Sequence, residues 1–196
     1  MIQENINKSY SDHLAKCTCT DQHIFIADYT HRTKFTSPKR GTEFFIGNPP
    51  LDIEYFSLHN KNNLKTFGIP FDHKSFKRFD GNIDSQCECV IFPKNSDSNS
   101  WICFIELKYN DEEDYNQTTI NKARKQLFKT QYHYKRMGIF CKTNTCYLFA
   151  SLIVQVEPFP NTALPPSYLL DMKEKHNIVI RFINSAEIID NRKINA

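Results

Sequence analysis

"CECVIFPKNSDSNSWICFIELKY", residues 87–109, holds two apolar runs joined by a polar loop. Cys87–Phe92 and Trp101–Tyr109 are rich in β-branched and aromatic residues, and Pro93–Ser100 carries turn chemistry. Two strands so joined pair as an antiparallel hairpin. With Phe92 opposite Ile102, Glu88 falls opposite Glu106. Side chains alternate along a strand, so Glu88, Val90 and Phe92 share a face with Ile102, Phe104, Glu106 and Lys108. Cys87, Cys89 and Ile91 then take the other face with Trp101, Cys103, Ile105 and Leu107. An even slip of register keeps this arrangement and an odd one breaks it. Glu106 and Lys108 are either a solvent-facing charged stripe or half of a site. Ile102 and Phe104 on the same face argue against full exposure.

Outward from the hairpin, "HIFIADY" (23–29) reads as a strand and "HRTKFTSPKRGTE" (31–43) as a basic, polar connection. "EFFIGNPP" and "LDIEYFSLHN" read as two short strands broken at Asn48-Pro49-Pro50. Residues 60–74 look like a loop, and Phe76–Gly81 like a short strand closed by glycine. Thr118 to Met137 contains no Pro or Gly, and Ile120, Ala123, Leu127, Tyr134 and Met137 recur near helical spacing. This is the one long helix, with Gly138 as its stop. Cys146–Val156 is a long strand, Tyr168–Lys175 a short helix and Asn177–Ile183 a last strand. Residues 1–20 are polar, a helix or a loosely held arm. The order predicts an α/β or α+β fold with a central mixed sheet flanked by helices. Residues 1–196 form a single domain, with core motifs in 76–137 and an N-terminal elaboration over 1–45.

The chain has 196 residues, 16 Phe and 9 Tyr, enough for a sizeable core and unlike a disordered chain. No apolar run approaches the length of about 18 residues that a membrane span needs, and no signal peptide is read at the N-terminus. The seven cysteines are odd in number. Reduced thiols in a cytoplasm are therefore expected rather than a disulfide framework. A net charge of +3 does not itself announce nucleic acid, so the distribution of charge matters more.

Like carboxylates directly opposed on a sheet cost up to ~1 kcal/mol unless something neutralises them. A divalent cation does so. Mg²⁺ prefers oxygen ligands, takes one or two carboxylates and completes its shell with water and substrate phosphate. A lysine beside it can orient the attacking water and balance the developing charge. In E-x-K the middle residue points away, which aims Glu106 and Lys108 at one place.

These residues, "CECVIF…WICFIELKY…ARKQL", resemble the PD-(D/E)XK nuclease superfamily over roughly Phe76 to Met137. The resemblance implies a restriction-endonuclease-like core and metal-dependent hydrolysis of phosphodiester bonds, with DNA favoured over RNA. Glu88 takes the first acidic position, Glu106 and Lys108 form E-x-K, and Gln126 fits the following helix. Glu88, Glu106 and the Leu107 main-chain carbonyl would hold Mg²⁺ or Mn²⁺, Lys108 would position the water, and Gln126 would support water or phosphate. Many members carry Asp where this chain has Glu88, and Asp80 or Asp84 is an alternative ligand. A further glutamate from the N-terminal part would be Glu4, Glu43 or Glu54. Such families serve restriction, repair and phage defence, which allows a homo-oligomer or a larger protein assembly. The alternative is a catalytically inactive nuclease-like module that binds nucleic acid or protein.

The long helix carries Lys122, Arg124, Lys125, Lys129, Lys135 and Arg136 with no acid. Lys122, Lys125 and Lys129 could share a face with Gln126 for phosphate contact, or form a solvated face. Asp111–Asp114 reads as a solvated acidic loop. Cys17-x-Cys19 with His13 and His23 fits no standard zinc spacing.

Overall fold

The structure is a computed structural model that describes residues 1–78, 80–109, 117–152 and 164–196. In chain order the elements are α1 (Ile2–Ser9), α2 (Ser11–Leu14), β1 (Thr18–Thr20), β2 (Ile24–Asp28), β3 (Thr42–Ile46), β4 (Phe56–His59), β5 (Thr66–Pro70), β6 (Cys89–Pro93) and β7 (Ile102–Lys108). There follow α3 (Gln117–Arg136), β8 (Cys146–Leu152), α4 (Pro166–His176), β9 (Ile178–Phe182), β10 (Ser185–Ile188) and β11 (Ile194–Asn195). The class is mixed α/β, as the order of elements predicts.

The strands form two sheets rather than one. A six-stranded sheet has the order β1-β5-β6-β7-β8-β9, and a five-stranded sheet the order β11-β10-β4-β2-β3. In the first, β5, β6 and β7 run antiparallel, whereas β8 pairs parallel to β7 and β9 parallel to β8. The parallel step is spanned by α3, because a parallel neighbour requires a crossover connection. Ile91 pairs with Cys103, Val90 with Phe104 and Cys89 with Ile105, the register in which Phe92 stands opposite Ile102.

The six-stranded sheet is covered on both faces. On one, Val90, Phe92, Ile102 and Phe104 pack with Ile2 and Ile6 of α1 and with Ala123, Leu127 and Tyr134 of α3. On the other, Cys89, Ile91, Cys103, Ile105 and Leu107 meet Ile24, Ile26, Phe56 and Leu58 of the second sheet. Burial on both faces is why β7 reads as an almost unbroken apolar run. Each such side chain contributes roughly 1.5–3 kcal/mol. Residues 1–45 supply α1, α2, β1, β2 and all but the last residue of β3, and so enter both cores.

Residues 60–74, expected to be a loop, contain β5. Gly68 and Pro70 depress strand propensity there, but pairing to β6 on one side and β1 on the other outweighs it. The Gly68 position also needs a small residue: a Cβ there would lie 2.9 Å from Cε2 of Phe44 in β3. Around Phe76–Gly81 the described residues give an isolated bridge, Lys77 to Ile83, instead of a strand. Gly81 turns this segment at φ +80°. The strand read over 146–156 is described to Leu152, and the remainder and Asp111–Asp114 lie outside the described residues. No helix among the described residues is long and apolar enough to cross a membrane.

Candidate active site

Glu106 lies in β7 on the face that α3 covers, with no solvent exposure. The Lys108 ammonium is hydrogen-bonded to its Oε1. Its Oε2 is also out of solvent and has no hydrogen-bond partner among the described residues. Burial pushes the Glu106 carboxyl up to about 7 although Lys108 and Lys122 pull it down; Asp28 adds to the rise. This carboxylate is held where its charge is costly, with one oxygen still unsatisfied.

Glu88 sits in a bend immediately before β6. Its N–H donates to the Ile105 carbonyl at 3.0 Å, although Ile105 is paired with Cys89. The extra bond marks a bulge-like irregularity that breaks the alternation of side chains. Cys89 faces the second sheet, but Cys87 turns into the helix-side core. The expectation that both cysteines share one face is thereby corrected. The Glu88 Oε2 accepts a hydrogen bond of 2.5 Å from the Thr42 hydroxyl of β3. Its carboxyl is raised well above the usual range, first by burial, then by the charges of Glu106 and Asp28. The ladder pairs Cys89 with Ile105 and does not extend to Glu88, so Glu88 is not paired opposite Glu106 as the register predicts; the two remain electrostatic neighbours through the bend.

The segment entering that bend is fastened to one face of α3. Gln126 Nε2 donates to the Gln86 carbonyl at 2.8 Å, and the Cys87 N–H donates to Thr130 Oγ1 at 2.9 Å. Asp84 accepts from Lys129 and, at 3.0 Å, stands against His133 Nε2. Residues 126, 129, 130 and 133 recur one turn apart, as neighbours on a helix face do. Gln126 is thus tied to main chain through its amide nitrogen, while its buried Oε1 has no hydrogen-bond partner among the described residues, and Lys129 is paired with Asp84. The neighbouring lysine and histidine hold Asp84 well below the usual carboxylate range. Asp80 is exposed and accepts from the Asn82 N–H at 2.9 Å. Neither Asp80 nor Asp84 lines the cavity that Glu88 and Lys108 line. Lys122 and Lys125 are exposed on α3, and Lys122 acts on Glu106.

A cavity of about 110 Å³ opens beside these groups, lined by Asp28, Glu54, Glu88 and Lys108 with His31 and Arg32. Of the three N-terminal glutamates, Glu54 lines it, Glu43 is held by Arg40 at 2.6 and 2.7 Å, and Glu4 lies by the N-terminal amine at 3.6 Å. Asp28 is the residue that sequence reading missed. Its signal is an acid at the end of an apolar strand, the same pattern that singled out Glu106. The Leu107 side chain is buried between the sheets. Because the Ile105 carbonyl points towards Glu88, the Leu107 carbonyl two residues on projects from the same edge of β7.

Among the described residues no group of three or more His, Cys, Asp or Glu side chains is arranged to hold a metal ion. Two mutually repelling carboxyls and an unsatisfied buried oxygen nevertheless fit a hard cation that takes one or two carboxylates. His13 and His23, considered for zinc, are engaged elsewhere: His13 with Tyr134 and Ser75, His23 with the Asn60 N–H. No protein-family model matches this chain, and neither does any curated protein or solved structure.

Proposed function

We propose that this protein is a metal-dependent nuclease that hydrolyses phosphodiester bonds, with DNA as the favoured substrate. The observation that carries the reading is Glu106: fully buried, bonded to Lys108 through one oxygen and, among the described residues, without a hydrogen-bond partner at the other. The antiparallel β5-β6-β7 unit, followed by α3 and a parallel β8, supports it by placing E-x-K on a central strand beneath a basic helix.

Glu88 and Glu106 would hold Mg²⁺ or Mn²⁺, with the Leu107 carbonyl at the same strand edge. Such an ion supplies charge neutralisation and acidifies bound water. Lys108, 11% exposed, orients the attacking water and faces the charge that gathers on the phosphate oxygens. Thr42 fixes the Glu88 carboxylate through its hydroxyl. Gln126 and Thr130 position Glu88 through the main chain of Gln86 and Cys87. The basic residues of α3 complement a polyanion.

Glu106→Ala and Lys108→Ala should each abolish Mg²⁺-dependent cleavage of DNA while circular dichroism shows a folded protein. Undiminished cleavage by either variant overturns the assignment. A second reading, a nuclease-like module without activity, is kept open by Glu88, which stands where many members of the resembled superfamily carry Asp. Calorimetry separates the two: Mg²⁺ binding that is lost in Glu88→Ala supports the enzyme, and no Mg²⁺ binding even with DNA present supports the module.

A further inference from the structure

Two loops beside the cavity expose large apolar side chains. Phe35 is 92% exposed on the loop between β2 and β3, and Leu51 is 100% exposed on the loop before β4. Folding gives neither residue a core role. The loops are joined at Asp52, which accepts from the Tyr29 hydroxyl at 2.7 Å and lies 4.0 Å from the Arg32 guanidinium. The Arg40 guanidinium, stacked 3.4 Å over the Tyr29 ring, braces the base of the first loop. Each loop also lines the cavity, the first through His31 and Arg32 and the second through Ile53 and Glu54.

The first loop is strongly basic. From Tyr29 to Thr42 it carries Arg32, Lys34, Lys39 and Arg40 and no acid. Arg32 and Arg40 are paired with Asp52 and Glu43. Lys34 and Lys39 are exposed, and the Lys34 ammonium lies 5.3 Å from the Phe35 ring. An exposed aromatic ring among cations is the chemistry that binds unpaired nucleotides: the ring stacks on a base face while lysines meet the phosphates. A duplex keeps its bases stacked on one another and offers Phe35 no free face.

We propose that Phe35 and Leu51 form a platform for unpaired bases of a nucleic-acid strand, whose backbone is led by the first loop into the cavity beside Glu88 and Lys108. The substrate is then single-stranded or locally unpaired. This rests on the nuclease reading for what happens at the cavity, but not for binding.

Binding is measured by fluorescence anisotropy of the full chain with labelled single-stranded DNA, single-stranded RNA and duplex DNA in EDTA, and cleavage separately in Mg²⁺. Single strands should bind about 10-fold tighter than duplex, and the DNA and RNA arms identify the sugar preferred. Phe35→Ala should weaken single-strand binding about 10-fold, and Phe35→Trp should restore it. Lys34→Ala with Lys39→Ala should lower the salt dependence by about two charges. Unchanged single-strand affinity in Phe35→Ala, or a duplex bound as tightly as a single strand, overturns the platform. If that occurs while Glu106→Ala abolishes wild-type cleavage, the platform fails and the nuclease reading stands. Phe35-dependent binding without any Mg²⁺-dependent cleavage leaves the platform standing and overturns the nuclease.

Discussion

Lys108 donates to Glu106 Oε1 from two residues along the same strand, and the pair lies almost wholly out of water. Removing the ammonium leaves a buried carboxylate without its cation. Lys108→Met should cost about 3 kcal/mol at a pH near 8. Adding Glu106→Gln to it should return most of that loss, since the uncompensated charge is gone. Urea unfolding of the two single variants and the double variant measures the coupling; strict additivity would contradict a direct interaction.

Glu106 also fixes a pH dependence. Its carboxyl is raised to about 7 by burial. Between the ordinary carboxylate range and that value the native state binds more protons than the unfolded chain, so stability falls as pH rises. Glu88 shifts in the same direction. His13, lowered by burial, acts oppositely, because the unfolded chain takes up its proton first as pH falls. The informative quantity is thus the difference between wild type and Glu106→Gln in EDTA. Between about pH 5 and about pH 8 the wild type should lose about 3 kcal/mol relative to the variant. Mg²⁺ should raise the melting temperature of the wild type at about pH 8 and leave Glu106→Gln little changed. Parallel pH profiles for the two proteins would refute the buried charge.

Thr130 accepts the Cys87 N–H and donates to the Gln126 carbonyl at 3.0 Å. Thr130→Val keeps the shape but orphans a buried donor, at about 1–3 kcal/mol. It should also weaken Mg²⁺ binding by loosening the entry to Glu88, and Thr130→Ser should preserve both. Calorimetric affinity beside thermal melting separates a positioning effect from simple destabilisation. Equal Mg²⁺ affinity in Thr130→Val would confine Thr130 to stability.

Gly68 and Phe44 join the two sheets. Gly68→Ala forces the ring to move and should cost about 1–3 kcal/mol. Combined with Phe44→Leu the cost should fall below the sum of the two single changes. Denaturant midpoints test it, and additive losses would mean that no contact couples the residues.

Much of the central architecture was legible. The register of the paired part of the hairpin, the long helix that stops at Arg136 ahead of Gly138 (φ +68°) and the helix–strand pair near the C-terminus follow from periodicity and turn chemistry. The second sheet was not legible as a sheet. Its strands lie at both ends of the chain, and β10 pairs parallel to β4 across more than a hundred residues. No local signal reports such a pairing. Gln126 was legible as a helix residue opposite the hairpin, but its target, the Gln86 carbonyl, depends on where a non-repetitive segment lies.

The sequence by itself determined that Glu106 and Lys108 share a strand face and that an acid stands just ahead of the neighbouring strand, because alternation and strand boundaries are local properties. Tertiary structure alone decided that Glu106 is sealed beneath α3, that a bend turns Glu88 to Thr42, and that Asp28 acts on both carboxyls. Burial and electric fields depend on what packs against a group, and here those neighbours come from β2, β3 and α3.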